Sequence, residues 1–104
     1  MIIYALALSI WFNQSRKGLS RMKLLYFAWV REHIGKAEED IALPKNINNI
    51  SELLTWLALQ SDGHASALCD TQRLRVAVNQ TYVKSEHIIQ DSDEIAIFPP
   101  VTGG

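Results

Sequence analysis

The group in this chain that is best placed to do chemistry is the carboxylate of its last residue, Gly104. The residues between the apolar run that ends at Phe98 and this carboxylate are Pro99, Pro100, Val101, Thr102 and Gly103. Prolines cannot donate to a sheet ladder and β-branched residues favour an extended path, so we expect a flexible, extended tail. Six extended residues reach about 20 Å, at ~3.3–3.6 Å each. Such a tail can carry the carboxylate into the active site of another protein.

Glycine is the residue type that this use of the tail requires. Gly103 and Gly104 have no side chains, so the backbone can enter a narrow channel and approach a nucleotide or a partner closely. The alternative is a frayed chain end, of which a terminal Gly-Gly alone is typical. The order of strand, two prolines, two β-branched residues and two glycines favours the functional interpretation.

The composition argues against several other chemistries. A net charge of −1 disfavours nucleic acid as the main partner. The chain has one cysteine, Cys69, so it cannot form an internal disulfide or a zinc site made of cysteines alone. The histidines His33, His64 and His87 lack the spacing of metal ligands. We therefore expect no metal and no bound cofactor, and we expect Cys69 to be inert and partly buried.

A sheet must position the tail, and the sequence shows where its strands lie. Apolar and aromatic runs predict strands, and turn residues separate them. The expected strands are 23–30, 38–43, 74–78, 82–83 and 94–98.

One main helix is expected between the two halves of this sheet. Asn49 and Glu52 have the spacing of a capping box, and one apolar face follows; it consists of Ile50, Leu53, Leu54 and Leu57. Short helical turns are expected at 31–35 and 64–70. The order β-β-α-β-β predicts an α+β fold in which the helix packs across one face of a mixed sheet. This is the β-grasp arrangement of ubiquitin-like domains.

Residues 1–21 form an extension whose status the sequence leaves open. Residues 1–12 are almost entirely apolar but too few to span a bilayer, which takes about 20 residues. Basic residues follow this run, whereas they precede it in a secretory signal. The extension is an extra helix or strand packed on the domain, a weak membrane-surface anchor, or upstream sequence from a misassigned start. We favour a true start at Met22, because a strand pattern begins directly after it.

The expected organisation is therefore an extension at 1–21, a β-grasp domain at 22–98 and a tail at 99–104. We expect a cytoplasmic protein that binds neither nucleic acid nor a membrane.

Residues 22–104 resemble the small subunits of molybdopterin synthase, which are ubiquitin-like sulfur carriers. The motifs that carry the resemblance are Phe27-Ala28, Val30-Arg31-Glu32, Gly35, Ala77-Val78-Asn79-Gln80-Thr81, Asp91, Asp93-Glu94 and the whole of 98–104. The last motif is highly specific and the central one moderately so. The extension at 1–21 lies outside the family pattern.

The resemblance implies a function for the tail. An ATP-dependent activating enzyme would adenylate the carboxylate of Gly104, and a sulfur donor would convert the acyl-adenylate into a thiocarboxylate. The tail would then enter the large synthase subunit, in a heterotetramer, and give its sulfur to cyclic pyranopterin monophosphate. The chain would be a substrate-like subunit that is not catalytic alone, and ATP would be consumed by the activating enzyme.

The resemblance also implies a docking surface beside the tail. We expect Phe98 to be an exposed anchor for both partners, with core packing as the alternative, and Phe27 to share its patch. Residues 99–102 would contact the partner as the tail threads into it. Arg31 either forms ion pairs with a partner or pairs with Glu32 or Asp93 at the surface.

Two other functions remain open at this point. The first is a sulfur carrier for thiazole or thiolated tRNA synthesis, whose members share the Gly-Gly end. The second is a ubiquitin-like modifier or binding module, in which Gly104 would form an isopeptide with lysine or would not react at all.

Overall fold

A computed structural model of the chain describes residues 21–100. The predictions made for residues 1–20 and for Val101, Thr102, Gly103 and Gly104 lie outside the described residues. The strands are β1 (Met22–Tyr26), β2 (Glu38–Ile41), β3 (Arg75–Val78), β4 (Thr81–Val83) and β5 (Glu94–Phe98). The helices are α1 (Ala28–Ile34), α2 (Ile50–Ala58) and α3 (Asp62–Leu68), and a single 3-10 turn covers Thr71–Arg73.

The five strands form one mixed sheet in the order β2-β1-β5-β3-β4. β1 and β5 are parallel, and the other neighbouring strands are antiparallel. The tail-bearing strand β5 therefore lies at the centre of the sheet, between the first strand and the β3–β4 hairpin. This arrangement, with helices packed on one face, confirms the predicted β-grasp fold.

The β3–β4 hairpin turns where the sequence predicts it to turn. Asn79 and Gln80 have φ of 49° and 75° and connect the paired residues Val78 and Thr81. Two successive positive φ values are typical of the two-residue turns that suit the twist of a hairpin. Asn79 also accepts from the backbone N–H of Glu94 at 3.0 Å, so the turn is fastened to the start of β5.

The first strand is shorter than expected, and the prediction of a strand over 23–30 is wrong beyond Tyr26. Phe27 is the extended N-cap of α1, and this helix ends at Gly35, where φ is 94° and the N–H donates to the Arg31 carbonyl at 2.8 Å. Val30 and Ile34, one helical turn apart, are the buried residues of α1. Aromatic and β-branched residues favour strands only weakly, and here packing of the helix against the core decides the outcome.

The main helix begins as the sequence predicts. The side chain of Asn49 accepts from the backbone N–H of Glu52 at 2.9 Å. Glu52 in turn accepts from the N–H of Asn48 at 2.7 Å, so the reciprocal bond of the capping box reaches one residue further back than usual. The predicted apolar face is buried against the sheet; it consists of Ile50, Leu53, Leu54 and Leu57.

The short helical segment expected at 64–70 is present as α3, but it begins and ends earlier in the chain. Ser61 caps α3 by accepting from the N–H of His64 at 3.1 Å, so α3 begins two residues before the predicted 64–70 segment. Gly63 lies so close to α1 that a Cβ there would collide with the carbonyl oxygen of His33. Glycine at this position allows α1 and α3 to approach each other.

The sheet buries both of its faces. The first face packs against the helices, and all the buried apolar residues of α1, α2 and α3 belong to this main core. The second face has a separate cluster, which we call the second-face cluster; it consists of Leu25, Phe27, Ala77, Ala96 and Phe98.

Candidate functional site

The structure places the base of the tail on the second face of the sheet. β5 ends at Phe98, and Phe27 lies beside it, since the N–H of Phe27 donates to the Ile97 carbonyl at 3.2 Å. The ring of Phe98 also contacts that of Tyr82, with the centroids 5.6 Å apart. Two of the predicted docking residues, Phe27 and Phe98, are thus brought together at the point where the tail begins.

The prediction that Phe98 is exposed is wrong, and the alternative of a packed side chain is the one observed. Its side chain is 2% exposed, and Phe27 is 8% exposed. The alternation of a strand gives the physical reason: Ile95 and Ile97 face the main core, so Phe98 points with Ala96 to the other face, and that face is itself buried. The role of these two residues in partner binding stays a prediction.

The two prolines are the last described residues of the tail. Pro99 and Pro100 are half-buried and extend no strand, which agrees with their inability to donate to a ladder. Their role in contacting a partner stays a prediction, as do the roles of Val101 and Thr102. The reacting positions, Gly103 and Gly104, also stay predictions.

Arg31 is exposed on α1. Asp93 is one of the two residues that Arg31 was expected to pair with at the surface, but its carboxylate makes hydrogen bonds to other residues. Its carboxylate accepts from the side-chain amide of Asn79 at 2.9 Å and from the N–H of Gln90 at 2.8 Å. The acidic turn at 91–94 therefore fixes the start of β5, and the partner-binding role of Arg31 stays a prediction.

Sequence reasoning missed three members of the second-face cluster. Leu25 pairs with Ala96, and Ala96 pairs with Ala77, so the three residues form one row across β1, β5 and β3. The signal for this face was present in β1, where every residue is apolar or aromatic except Lys23. A strand without polar alternation is typical of burial on both faces.

The row has a charged edge along β2. The Lys23 ammonium group lies 3.3 Å from a carboxylate oxygen of Glu38 and 3.3 Å from one of Asp40. Lys23 is 8% exposed, and it points to the same side of β1 as Leu25. The Arg21 guanidinium group also lies at this edge, where it donates to the Asp40 carbonyl at 3.0 Å, so two cations balance the two carboxylates.

A buried polar cluster lies on the helical side of the sheet. The carboxylate of Glu39 accepts from the Tyr26 hydroxyl at 3.1 Å and lies 3.1 Å from Nε2 of His64, whose Nδ1 lies 2.7 Å from the Ser61 hydroxyl. Burial, and then the neighbouring Glu39, raise the pKa of Tyr26 far above its usual value. The cluster satisfies the polar atoms of His64, which is 5% exposed, and so joins α3 to the sheet.

Cys69 is exposed, so the prediction that it is partly buried is wrong. It follows α3, and its thiol donates to the Ser66 carbonyl at 3.5 Å.

Within residues 21–100, no group of three or more His, Cys, Asp or Glu side chains could hold a metal ion. In the same part of the chain, no helix has the length and apolar character needed to cross a bilayer.

A five-stranded mixed sheet with a central parallel pair, helices on one face and a tail leaving the central strand defines a ubiquitin-like β-grasp protein. Within this class, the chain belongs to the ThiS family, whose model matches residues 24–104. The match includes the whole tail.

Two molybdopterin synthase sulfur carrier subunits are similar to this chain over nearly their whole length. The molybdopterin synthase sulfur carrier subunit of Escherichia coli (strain K12) is 45% identical over 83 residues, which are 80% of this chain and 99% of the relative. The protein of the same name from Haemophilus influenzae is 39% identical over 87 residues, with 80% and 99% coverage.

Solved structures show the same fold. A Haloferax volcanii protein has a TM-score of 0.64 and 25% identity, covering 88% of this chain and 93% of that one. A putative molybdopterin converting factor subunit 1 from Pyrococcus furiosus has a TM-score of 0.57 and 25% identity, covering 78% and 98%. In a Helicobacter pylori complex of subunits 1 and 2 of molybdopterin-converting factor, the matching chain has a TM-score of 0.56 and 21% identity, covering 81% and 99%.

Proposed function

We propose that this chain is the sulfur-carrying small subunit of a molybdopterin synthase. It holds sulfur as a thiocarboxylate at Gly104 and donates it to cyclic pyranopterin monophosphate. The observation that carries the proposal is the 45% identity to a molybdopterin synthase sulfur carrier subunit over 99% of that protein's length. The ThiS family match that runs through to Gly104 supports the use of the tail.

The chemistry of a terminal carboxylate explains why activation is needed. A sulfur nucleophile does not displace oxide from a carboxylate, because oxide is a very poor leaving group. When the carboxylate of Gly104 attacks the α-phosphorus of ATP, pyrophosphate leaves and an acyl-adenylate forms. A sulfur donor then attacks the carbonyl carbon, and AMP leaves with the bonding electrons. Covalent activation thus replaces one difficult step with two easier ones.

The fold supports this use of the tail by separating the reacting end from the domain. β5 is held on both sides, by β1 up to Ile97 and by β3 up to Phe98. Pro99 and Pro100 then end the pairing. The described ladder of β5 thus ends before the tail, which supports uptake of the tail by a partner while the domain stays folded.

Two partner proteins follow from this function. The first is an ATP-dependent activating enzyme, which consumes the ATP so that the chain needs no bound cofactor of its own. The second is the large synthase subunit, with which we propose a heterotetramer. A Helicobacter pylori chain with this fold belongs to a complex of subunits 1 and 2 of molybdopterin-converting factor, and this supports a partner of that kind. The chain alone would be a sulfur donor rather than a catalyst, and we propose that it acts in the cytoplasm.

The test is the intact mass of the 104-residue chain after incubation with ATP, a molybdopterin synthase activating enzyme and a sulfur donor. We expect a gain equal to the exchange of one oxygen for sulfur, which peptide mapping locates at Gly104. The matched control is the same mixture without ATP, which should leave the mass unchanged. An unchanged mass with a competent activating enzyme would overturn the proposal, and reductant-resistant adducts on lysine would point to a protein modifier.

A further inference from the structure

The end of the sheet from which the tail leaves carries an exposed cation. Arg75, the first residue of β3, is the Cα partner of Phe98, the last residue of β5. Residues directly opposite each other in antiparallel strands lie about 4.5–5.5 Å apart between Cα atoms. The rest of β3 is buried, whereas Arg75 is exposed. A guanidinium group therefore belongs to the surface at the base of the tail.

The positive charge of Arg75 is not compensated within the described domain. Its Nη1 donates to the backbone carbonyls of Leu74 at 2.8 Å and Gln72 at 3.3 Å, which are neutral acceptors. Between residues of 21–100, every ion pair involves a cation other than Arg75. An arginine side chain has five N–H donors in a planar fork that fits a carboxylate, so Arg75 keeps donors for a partner.

Lys84 adds a second cation at the same end of the sheet. Val76 and Val83 are paired across β3 and β4. Arg75 precedes Val76 and Lys84 follows Val83, so the antiparallel strands bring the two cations next to each other. Lys84 is exposed and takes part in none of the ion pairs between residues of 21–100. Like charges that face each other across a strand pair are unfavourable, and an anion beside both would relieve their repulsion.

Both cations line one surface cavity, of ≈ 420 Å³. Part of its wall is apolar and comes from Leu54 on α2 and Val83 on β4. The acidic residue Glu86 also lines it, and its carboxylate accepts from the Ser85 hydroxyl at 3.5 Å. Two cations against one carboxylate leave the cavity with a surplus of positive charge. The cavity suits an acidic side chain of a partner, whose methylene groups meet the apolar wall and whose carboxylate meets the cations.

We infer that the large synthase subunit presents a carboxylate to Arg75 and Lys84, in this cavity, when it takes up the tail. The inference rests on the proposed function and adds to it the chemistry of the partner's surface. A standard interface covers about 800 Å² on each side, a disc of roughly 16 Å radius. Arg75 and Phe98 are about 5 Å apart between Cα atoms, so a subunit that encloses the tail covers Arg75 as well. Covering an uncompensated charge is costly unless the partner supplies the opposite charge.

Zero-length cross-linking tests the contact directly, and it requires no sulfur transfer. The full-length chain is mixed with an isolated large synthase subunit and treated with a water-soluble carbodiimide. This reagent activates a carboxylate, an amine attacks the activated carbonyl carbon, and a urea leaves as the amide forms. We expect an amide between Lys84 and an Asp or Glu side chain of the large subunit, located by peptide mapping.

Two other positions sharpen the cross-linking result. Arg75→Lys places a second amine at the cavity and should give a further cross-link, from position 75 to the same segment of the large subunit. Lys45 is exposed in the loop after β2 and does not line the cavity, so it should give none. A complex in which neither position 84 nor the amine of Arg75→Lys is cross-linked would overturn the inference.

Binding measures how much the contact contributes. Arg75→Glu and Lys84→Glu each place a carboxylate opposite the one that we infer on the partner, so each should weaken binding of the large subunit about tenfold. Lys45→Glu makes the same change of charge away from the cavity and should bind as tightly as the parent. Urea unfolding should show both cavity variants to be as stable as the parent, because each removes a like-charge pair. Equal loss of binding in all three variants would reveal a general charge effect and overturn the inference.

Failure of this inference and failure of the proposed function give different results. If Lys84 is cross-linked as expected but the activating enzyme does not charge Gly104, the proposed function fails and the charged contact stands. If Gly104 is charged and the large subunit binds the parent, but Arg75→Glu and Lys84→Glu bind equally well, the charged contact alone is refuted.

Discussion

At the scale of single residues, the proposed chemistry depends on the two glycines that end the tail, neither of which has a side chain. On the proposed function, Gly104 supplies a carbonyl with no side chain to hinder attack, and Gly103 lets the chain enter a narrow channel. The residues of the folded domain contribute by setting the point at which the tail leaves the sheet. Phe98 marks the end of β5, and the half-buried prolines after it begin the tail. Substitutions in the tail should therefore change reaction rates without changing stability.

Gly103→Val tests this expectation. An added isopropyl group at a position that must pass a channel misplaces the carbonyl, so we expect sulfur charging to slow about 100-fold. The unfolding midpoint should not change. Mass spectrometry over time measures the rate, and Gly18→Val, the same substitution in the polar part of the extension, should charge normally. A Gly103→Val chain charged as fast as the parent would refute the requirement for threading.

Cys69→Ser tests whether the one thiol takes part in sulfur transfer. Cys69 follows α3 in the helical layer, and its thiol contacts the carbonyl of Ser66. The second-face cluster beside the tail has no member from that layer. We expect the serine variant to gain sulfur at Gly104 at the parent rate, as measured by intact mass. Loss of charging in a folded Cys69→Ser protein would make the thiol a participant.

At the scale of elements, the strength of α2 comes from its cap and its apolar face. Asn49→Ala removes the acceptor for the Glu52 N–H and should lower the free energy of unfolding by about 1 kcal/mol. Asn48→Ala is the matched control, because only its backbone atoms take part in the described hydrogen bonds. It should change stability by less than about 0.5 kcal/mol. Urea unfolding measures both, and equal losses would show that the cap is not the cause.

The elements differ in how far the sequence could specify them. α2 was predictable because its cap and its apolar spacing are local signals that agree. The end of β1 was not, since residues 27–30 continue its apolar and aromatic run, whereas Ala28 begins a helix that packs against distant α3. The tail motif could be recognised directly, but the burial of Phe98 could not. It depends on which face of a central strand is covered, and this is a property of the whole fold.

At the scale of the whole molecule, stability and chemistry reside in different parts of the chain. The main core lies between the sheet and the helices, whereas the carboxylate that reacts on the proposed function belongs to the sixth residue after the last strand. A chain that ends at Pro100 should therefore unfold within about 0.5 kcal/mol of the parent and accept no sulfur.

Leu57→Ala is the opposite test to the chain that ends at Pro100, because it changes the main core and leaves the tail intact. Leu57 is 0% exposed in that core. This variant should lose about 2–5 kcal/mol of stability. Under conditions where it stays folded, it should still be charged at Gly104. Urea unfolding and intact mass, measured on both variants, give four results. If loss of the tail destabilised the domain as much as Leu57→Ala, the tail would be part of the core rather than a carrier attached to it.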